Sequence, residues 1–236
     1  MPQISKPQLL VFLVLKFMKN REVPVDYEEV GAKFYDEQTD SKKVGSFRAW
    51  YHTARYSEMR RLVNSNYKKG LKVVDLGCGS CVWNTSKIPV LGVDVNEEML
   101  KVGIESKRLN SYKKASIYQT KLPSNSQDLA ILSEVLEHLP DYSSALKEIK
   151  RILKPKRKFI ITVPYDVPLS PFFFLFNLHC LLRGHVLGDK YYKNFCGHVN
   201  HFGRSSLRKA LHNSGFKIEK LYIFNGFLLH AVCQKP

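Results

Sequence analysis

A chain of 236 residues carrying 37 Lys and Arg against 21 Asp and Glu has a formal net charge of +16. Hydrophobic residues at 44% exclude a wholly disordered chain, and the length allows a full core without staples. Five scattered cysteines, at 78, 81, 180, 196 and 233, fit no secreted disulfide framework and point to a reducing, cytoplasmic setting.

The apolar run Leu9 to Leu15 is followed by Lys16 and Lys19 rather than by a small-residue cleavage site, which argues against a signal peptide. Val167 to Leu182, the longest stretch free of Asp, Glu, Lys and Arg, falls short of the ~18–20 residues of a membrane span. Residues 1–69 read as a helical cap. Within it Tyr27, Val30, Phe34 and Tyr35 suit an amphipathic turn or two, and Trp50 to Val63 a second helix.

At residue 70 the pattern changes. Lys72 to Leu76 is a β-branched burst that stops at Gly77-Cys78-Gly79, a buried strand running into a tight turn. Val90 to Asp94 is a second strand, and Asn96 caps a helix predicted to reach Leu109. Ala115 to Thr120 is a weaker strand candidate and Asp128 to Ser133 a clearer one. Ala145, Ile149, Ile152 and Leu153 recur at helical spacing up to Pro155, and Phe159 to Val163 is a fifth strand. A helix over Ser205 to Asn213 ends at Gly215. Lys217 to Phe224 and Phe227 to Cys233, joined by Asn225-Gly226, read as an antiparallel hairpin.

Alternating strands and helices define an α/β, Rossmann-like fold: a seven-stranded, mostly parallel sheet with helices on both faces. Its core would span residues 70–236, with an apolar lid inserted at about 165–200. Ligands of such sheets lie beyond the carboxyl ends of the strands. Gly77 and Gly79 let the backbone pass close to a ligand there, and Asp94 ends the neighbouring strand where a carboxylate can accept two hydrogen bonds from a ribose diol.

These segments resemble the class I S-adenosylmethionine-dependent methyltransferases. The resemblance is carried by Val73-Val74-Asp75-Leu76-Gly77-Cys78-Gly79, Gly92-Val93-Asp94-Val95-Asn96-Glu97-Glu98, Leu122-Pro123, Asp128-Leu129-Ala130, Ser133 to Leu139 and Leu146 to Pro155. It runs from about residue 26 to the C-terminus, in the broad group that includes quinone, lipid and natural-product enzymes. It implies S-adenosylmethionine as cofactor, with Asp75 in the same strand-end segment and Gly77, Cys78 and Gly79 against its amino-acid part. It also implies that Asp94 holds the ribose, Val95 packs on the adenine, Gln119 and Thr120 edge it, and Ser133 and Glu134 border the transferred methyl. Two departures from the family stand out: Cys81 stands where a third glycine is common, and Tyr118 and Gln119 replace an acid. Both departures leave open a non-catalytic, methyltransferase-like binding module.

Methyl transfer from a sulfonium is an in-line displacement, so the protein supplies orientation and, where needed, a base. His138, His198 and His201 are the candidate bases, each also readable as a histidine bonded to nearby backbone. Tyr165 and Asp166 follow the fifth strand and are within reach of a substrate. Cys196-x-His198-x2-His201 matches no standard zinc spacing, so no metal is expected, and Cys78-x-x-Cys81 reads as turn packing. The aromatic run Pro168 to Phe176 suits a cover over a greasy acceptor, a dip into an anionic membrane surface, or a flap packed on N-terminal helices. The expected reaction moves a methyl to an O, N or C atom of a small, hydrophobic or lipid-like acceptor. The +16 charge keeps nucleic acid as the alternative partner, although no Asn-Pro-Pro-Tyr segment follows the fourth strand.

Overall fold

The computed structural model describes residues 26–189, 192 and 195–236. The apolar run Leu9 to Leu15 lies outside them. Two short helices, α1 (Phe34–Glu37) and α2 (Ser41–Val44), precede the 21-residue α3 (Ser46–Asn66). The core then follows as β1 (Val73–Leu76), β2 (Val90–Asp94), α4 (Glu97–Glu105), β3 (Ser111–Lys114), β4 (Gln127–Ser133), α5 (Tyr142–Ile152) and β5 (Leu153–Pro164). After β5 come α6 (Pro171–Cys180), a π-helical turn over Leu181–Val186, α7 (Arg204–Asn213), β6 (Lys217–Phe224) and β7 (Leu228–Gln234).

The seven strands form one sheet in the order β3-β2-β1-β4-β5-β7-β6. β1 to β5 pair in parallel, while β7 runs antiparallel between β5 and β6. The order reverses between β1 and β4, so the crevice beyond Leu76 and Ser133 is the switch point where a ligand is accommodated. All four residues of β1 are buried, as is β4 up to Leu132, which is why both read as unbroken apolar bursts.

One face of the sheet packs on α5 and α7. Ala145, Leu146, Ile149 and Ile152 of α5 and Leu207 and Leu211 of α7 are buried there with Phe159 and Phe216. The other face packs Met59, Leu62 and Val63 of α3 against Val73, Ile131 and Ile160. A polar clasp fixes α3 to the hairpin: Arg61 donates twice to the buried Glu58, and Tyr222 of β6 donates to the same carboxylate at 2.5 Å.

The third strand differs from expectation. It is Ser111–Lys114, with register Leu91↔Ser111 to Asp94↔Lys114, and not Ala115 to Thr120. This edge strand is polar and largely exposed, so it has no hydrophobic burst to betray it. The ladder carries one residue further through Ala115 N–H to Asp94 O before the chain turns at Ser116. The helix predicted to reach Leu109 stops at Glu105, because Leu109 N–H bonds back to Gly103 O and Lys107 takes a left-handed turn (φ +57°). α3 is longer than the Trp50 to Val63 expected, and β5 starts at Leu153, well before Phe159. Among the described residues no helix is long and apolar enough to cross a membrane.

Candidate active site

The site is a cavity of about 620 Å³ at the carboxyl ends of β1, β2, β4 and β5, roofed by α3 and α6. Its glycine end is set by backbone geometry. Gly77 (φ +64°) and Gly79 (φ +50°) both sit in the left-handed region. A Cβ on Gly77 would lie 2.7 Å from Val135 Cγ2, and one on Gly79 3.0 Å from the Tyr35 ring. Gly77 N–H donates to Val93 O at 2.7 Å, and Gly79 N–H to Asp94 Oδ2 at 2.7 Å, so the bend is held to β2. Cys81 takes the same left-handed conformation (φ +54°), the feature that explains a glycine preference there, and its side chain is wholly buried.

Asp94 ends β2 with Oδ1 accepting from Asn96 N–H at 2.9 Å. Burial raises its carboxyl above the ordinary range, opposed by these backbone donors. Each oxygen keeps a second lone pair, which is the capacity a ribose diol needs. Asn96 caps α4 through Met99 N–H and donates its amide to Tyr27 O and Val30 O, which pins the N-terminal segment over this end. Asp75 is buried, with Trp83 Nε1–H donating to Oδ2 at 2.7 Å, while Oδ1 has no partner. Burial outweighs the Trp83 and Cys81 donors and pushes its carboxyl up to about 7. A buried carboxylate oxygen without a donor, lining a cavity, is a place for a cation.

Val95, Ile117 and Tyr118 continue the wall, with Ser133 and Glu134 at the end of β4. Glu134 sits at φ +55°, a strained conformation for a side-chain-bearing residue, held by its N–H to Thr162 O at 3.0 Å. Its carboxylate lies 3.6 Å from the buried Arg55 of α3, whose guanidinium also covers the Tyr56 ring. Two residues assigned to the adenine edge are not in the wall. Gln119 is exposed, and Thr120 is buried with its N–H and hydroxyl donating to Glu148. The turn at Ser116 directs them away, leaving Ile117 and Tyr118 on the cavity.

A polar knot closes the far end. His138 and His198 line the cavity with ring centroids 4.9 Å apart, and the buried Glu137 lies 3.6 Å from His138 Nε2. Burial and the neighbouring Glu134 push the Glu137 carboxyl well up, and burial, with His198, holds His138 well down. His201 does not reach the cavity. Its Nδ1 lies 2.7 Å from the buried Asp166, which also stands 3.5 Å from His198 Nδ1. Burial opposes charge on Asp166, yet the two histidines bring it down to about 2. Phe172 and Phe176 of α6 stack on each other, and Phe176 stacks on His198 at 4.7 Å. Within a chain of net charge +16, this one cavity gathers Asp75, Asp94, Glu134 and Glu137 against Arg48 and Arg55. Arg55 and Tyr51 carry no motif in the sequence; only the packing of α3 brings them here.

A Rossmann-like sheet in this order, with a glycine bend and an acid at adjacent strand ends and an acidic, partly aromatic cavity, is an architecture suited to a nucleoside-bearing ligand. Residues 50–221 match the family described as "Methyltransferase domain", and the chain belongs to that family. A demethylmenaquinone methyltransferase of Geobacillus stearothermophilus is 29% identical over 197 residues, 75% of this chain and 83% of the relative. A ubiquinone/menaquinone biosynthesis C-methyltransferase of Psychromonas ingrahamii is 29% identical over 212 residues, 81% of each chain. A solved SAM-dependent methyltransferase from Aquifex aeolicus shares the fold, with TM-score 0.60 at 14% identity, covering 88% of this chain and 100% of its own. The chain is an S-adenosylmethionine-dependent methyltransferase. Its free Asp75 oxygen, glycine bend and Asp94 fit the ammonium, methionyl and ribose parts of that cofactor.

Proposed function

We propose that the acceptor is a hydroquinone-like aromatic ring bearing an apolar tail, and that the methyl goes to a ring carbon. The observation that carries this reading is the shape of the cavity, which is acidic at the glycine end and aromatic under α6. It is edged by Leu175, Leu178 and Leu182, each at least 44% exposed. An apolar tail laid along those leucines leaves water as the ring enters between Tyr51, Phe172 and Phe176. The relatives' names, demethylmenaquinone and ubiquinone/menaquinone methyltransferases, support the same class.

The bound cofactor supplies a methyl already activated on sulfonium: the S–CH₃ bond breaks as the C–CH₃ bond forms, and the acceptor gives up one proton. The chain's residues hold and orient. Asp75, the glycine bend and Asp94 fix the cofactor, while Glu134, held by Arg55, borders the transfer face. The knot of Glu137, His138 and His198 meets the acceptor's hydroxyl groups, which fixes the ring in line and exploits proximity. The test is transfer of labelled methyl from S-adenosylmethionine to reduced quinones of graded tail length, beside protein, RNA and polar metabolite fractions. Label in the tailed hydroquinones supports the reading. Label confined to any other fraction overturns it.

A further inference from the structure

The knot at the end of the cavity has the composition of a metal site. Glu137, His138 and His198 each offer a ligand atom, and these atoms lie within 4.8 Å of one another. Donors around a divalent ion at ~2.0–2.2 Å stand roughly 3 to 3.5 Å apart. Glu137 Oε1 and His138 Nε2, at 3.6 Å, are nearly so placed.

Three further observations point to a ligand and not to a settled hydrogen-bond cluster. Glu137 is 2% exposed, yet its Oε2 has no partner, a cost that a cation removes. His138 Nδ1 is 3.2 Å from Gly197 O, so with the proton on Nδ1 its Nε2 presents a lone pair beside Glu137. A backbone carbonyl behind an imidazole is how ligating histidines are oriented. Asp166, itself held by His201, stands 3.5 Å from His198 Nδ1, a buried nitrogen without a hydrogen-bond partner, and so places a carboxylate one layer further out. The backbone brings the two halves together: Val199 N–H and Asn200 N–H both donate to Glu137 O at 2.9 Å, and Asn200 Nδ2 donates to Leu139 O at 2.7 Å. Cys180 and Cys196 take no part, being buried with Tyr192 in a separate apolar cluster.

We propose that Glu137, His138 and His198 bind one divalent metal ion, with open coordination positions facing the cavity where an acceptor oxygen completes the shell. Two imidazoles and one carboxylate favour Zn²⁺, Co²⁺ or Mn²⁺ over Mg²⁺. The site goes beyond the methyl-transfer reading, since its occupancy is measurable without any acceptor.

The experiment is titration of the chelator-treated, full-length protein with Co²⁺, Zn²⁺, Mn²⁺ and Mg²⁺ by calorimetry, with Co²⁺ also followed by its visible absorption. One equivalent per chain is expected. Glu137→Gln and His198→Asn should each weaken it by more than the roughly 10–100-fold that loss of an outer partner costs. Asp166→Asn should fall within that range. Circular dichroism and cofactor affinity, read on the same variants, show that the fold persists. Absence of stoichiometric binding by all four ions overturns the proposal. So does wild-type affinity in folded Glu137→Gln and His198→Asn. Binding without methylation of any hydroquinone would overturn the acceptor assignment and leave the metal site standing.

Discussion

Asp94 and Asp75, the two acids proposed to hold the cofactor, are both raised by burial but differ in the donors that offset it. Asp94 is anchored by two backbone donors, so Asp94→Asn keeps the volume and halves the acceptor capacity. Losing charged hydrogen bonds of ~1.5–3 kcal/mol, the variant should bind S-adenosylmethionine about tenfold to hundredfold more weakly by calorimetry. Asp75, raised to about 7 by burial, is only partly ionised in the free protein at neutral pH. A cationic ligand beside its free oxygen favours the ionised form, so binding should release protons near pH 7 and tighten from about pH 6 to 8. Calorimetry in buffers of different ionisation enthalpy would show the release, and Asp75→Asn should abolish it. A buffer-independent enthalpy in the wild type would remove Asp75 from the cofactor's cation site.

At the scale of elements, the hairpin β6–β7 and helix α3 share one buried polar seam. His230 of β7 is fully buried between Tyr222 and Phe224 without a hydrogen-bond partner on either ring nitrogen. Burial, with Arg61 adding to it against Glu58, holds its pKa down at about 4. Below its ordinary value of 6.5 the unfolded chain therefore takes up a proton that the folded chain refuses. Stability should fall as pH drops from 6.5 to 4, and His230→Leu should flatten that part of the profile in urea titrations. This seam is invisible in sequence because Glu58, Tyr222 and His230 carry no local pattern; they meet through the antiparallel pairing Tyr222↔His230 and the crossing of α3. β3 lies before the expected Ala115 to Thr120 for a related reason: a polar edge strand is defined by its neighbour's backbone and not by its own side chains.

Over the whole molecule, charge and apolarity are segregated. The chain carries +16 overall, while its cavity concentrates acids, the charge that suits a cationic sulfonium. The leucines at the cavity edge remain exposed, an apolar patch of the kind that marks a ligand-binding groove. Leu178, 53% exposed, can be changed without touching the core. Leu178→Glu should raise KM for a tailed hydroquinone by about tenfold, some 1.4 kcal/mol, and leave KM for a tailless one unchanged. Equal effects on both would place the tail elsewhere.

By itself the sequence determined the sheet apart from its polar edge strand, the glycine bend, Asp94 and the class of cofactor, since each is written in contiguous residues: apolar bursts, paired glycines and a strand-end acid. The tertiary structure alone decided what faces the cofactor across the cavity. Arg55 comes from a helix in the N-terminal segment, Phe172 and Phe176 from α6, and Glu137 and His138 meet His198 across some sixty residues of chain. Such contacts depend on how helices pack over strand ends. No local periodicity encodes that packing.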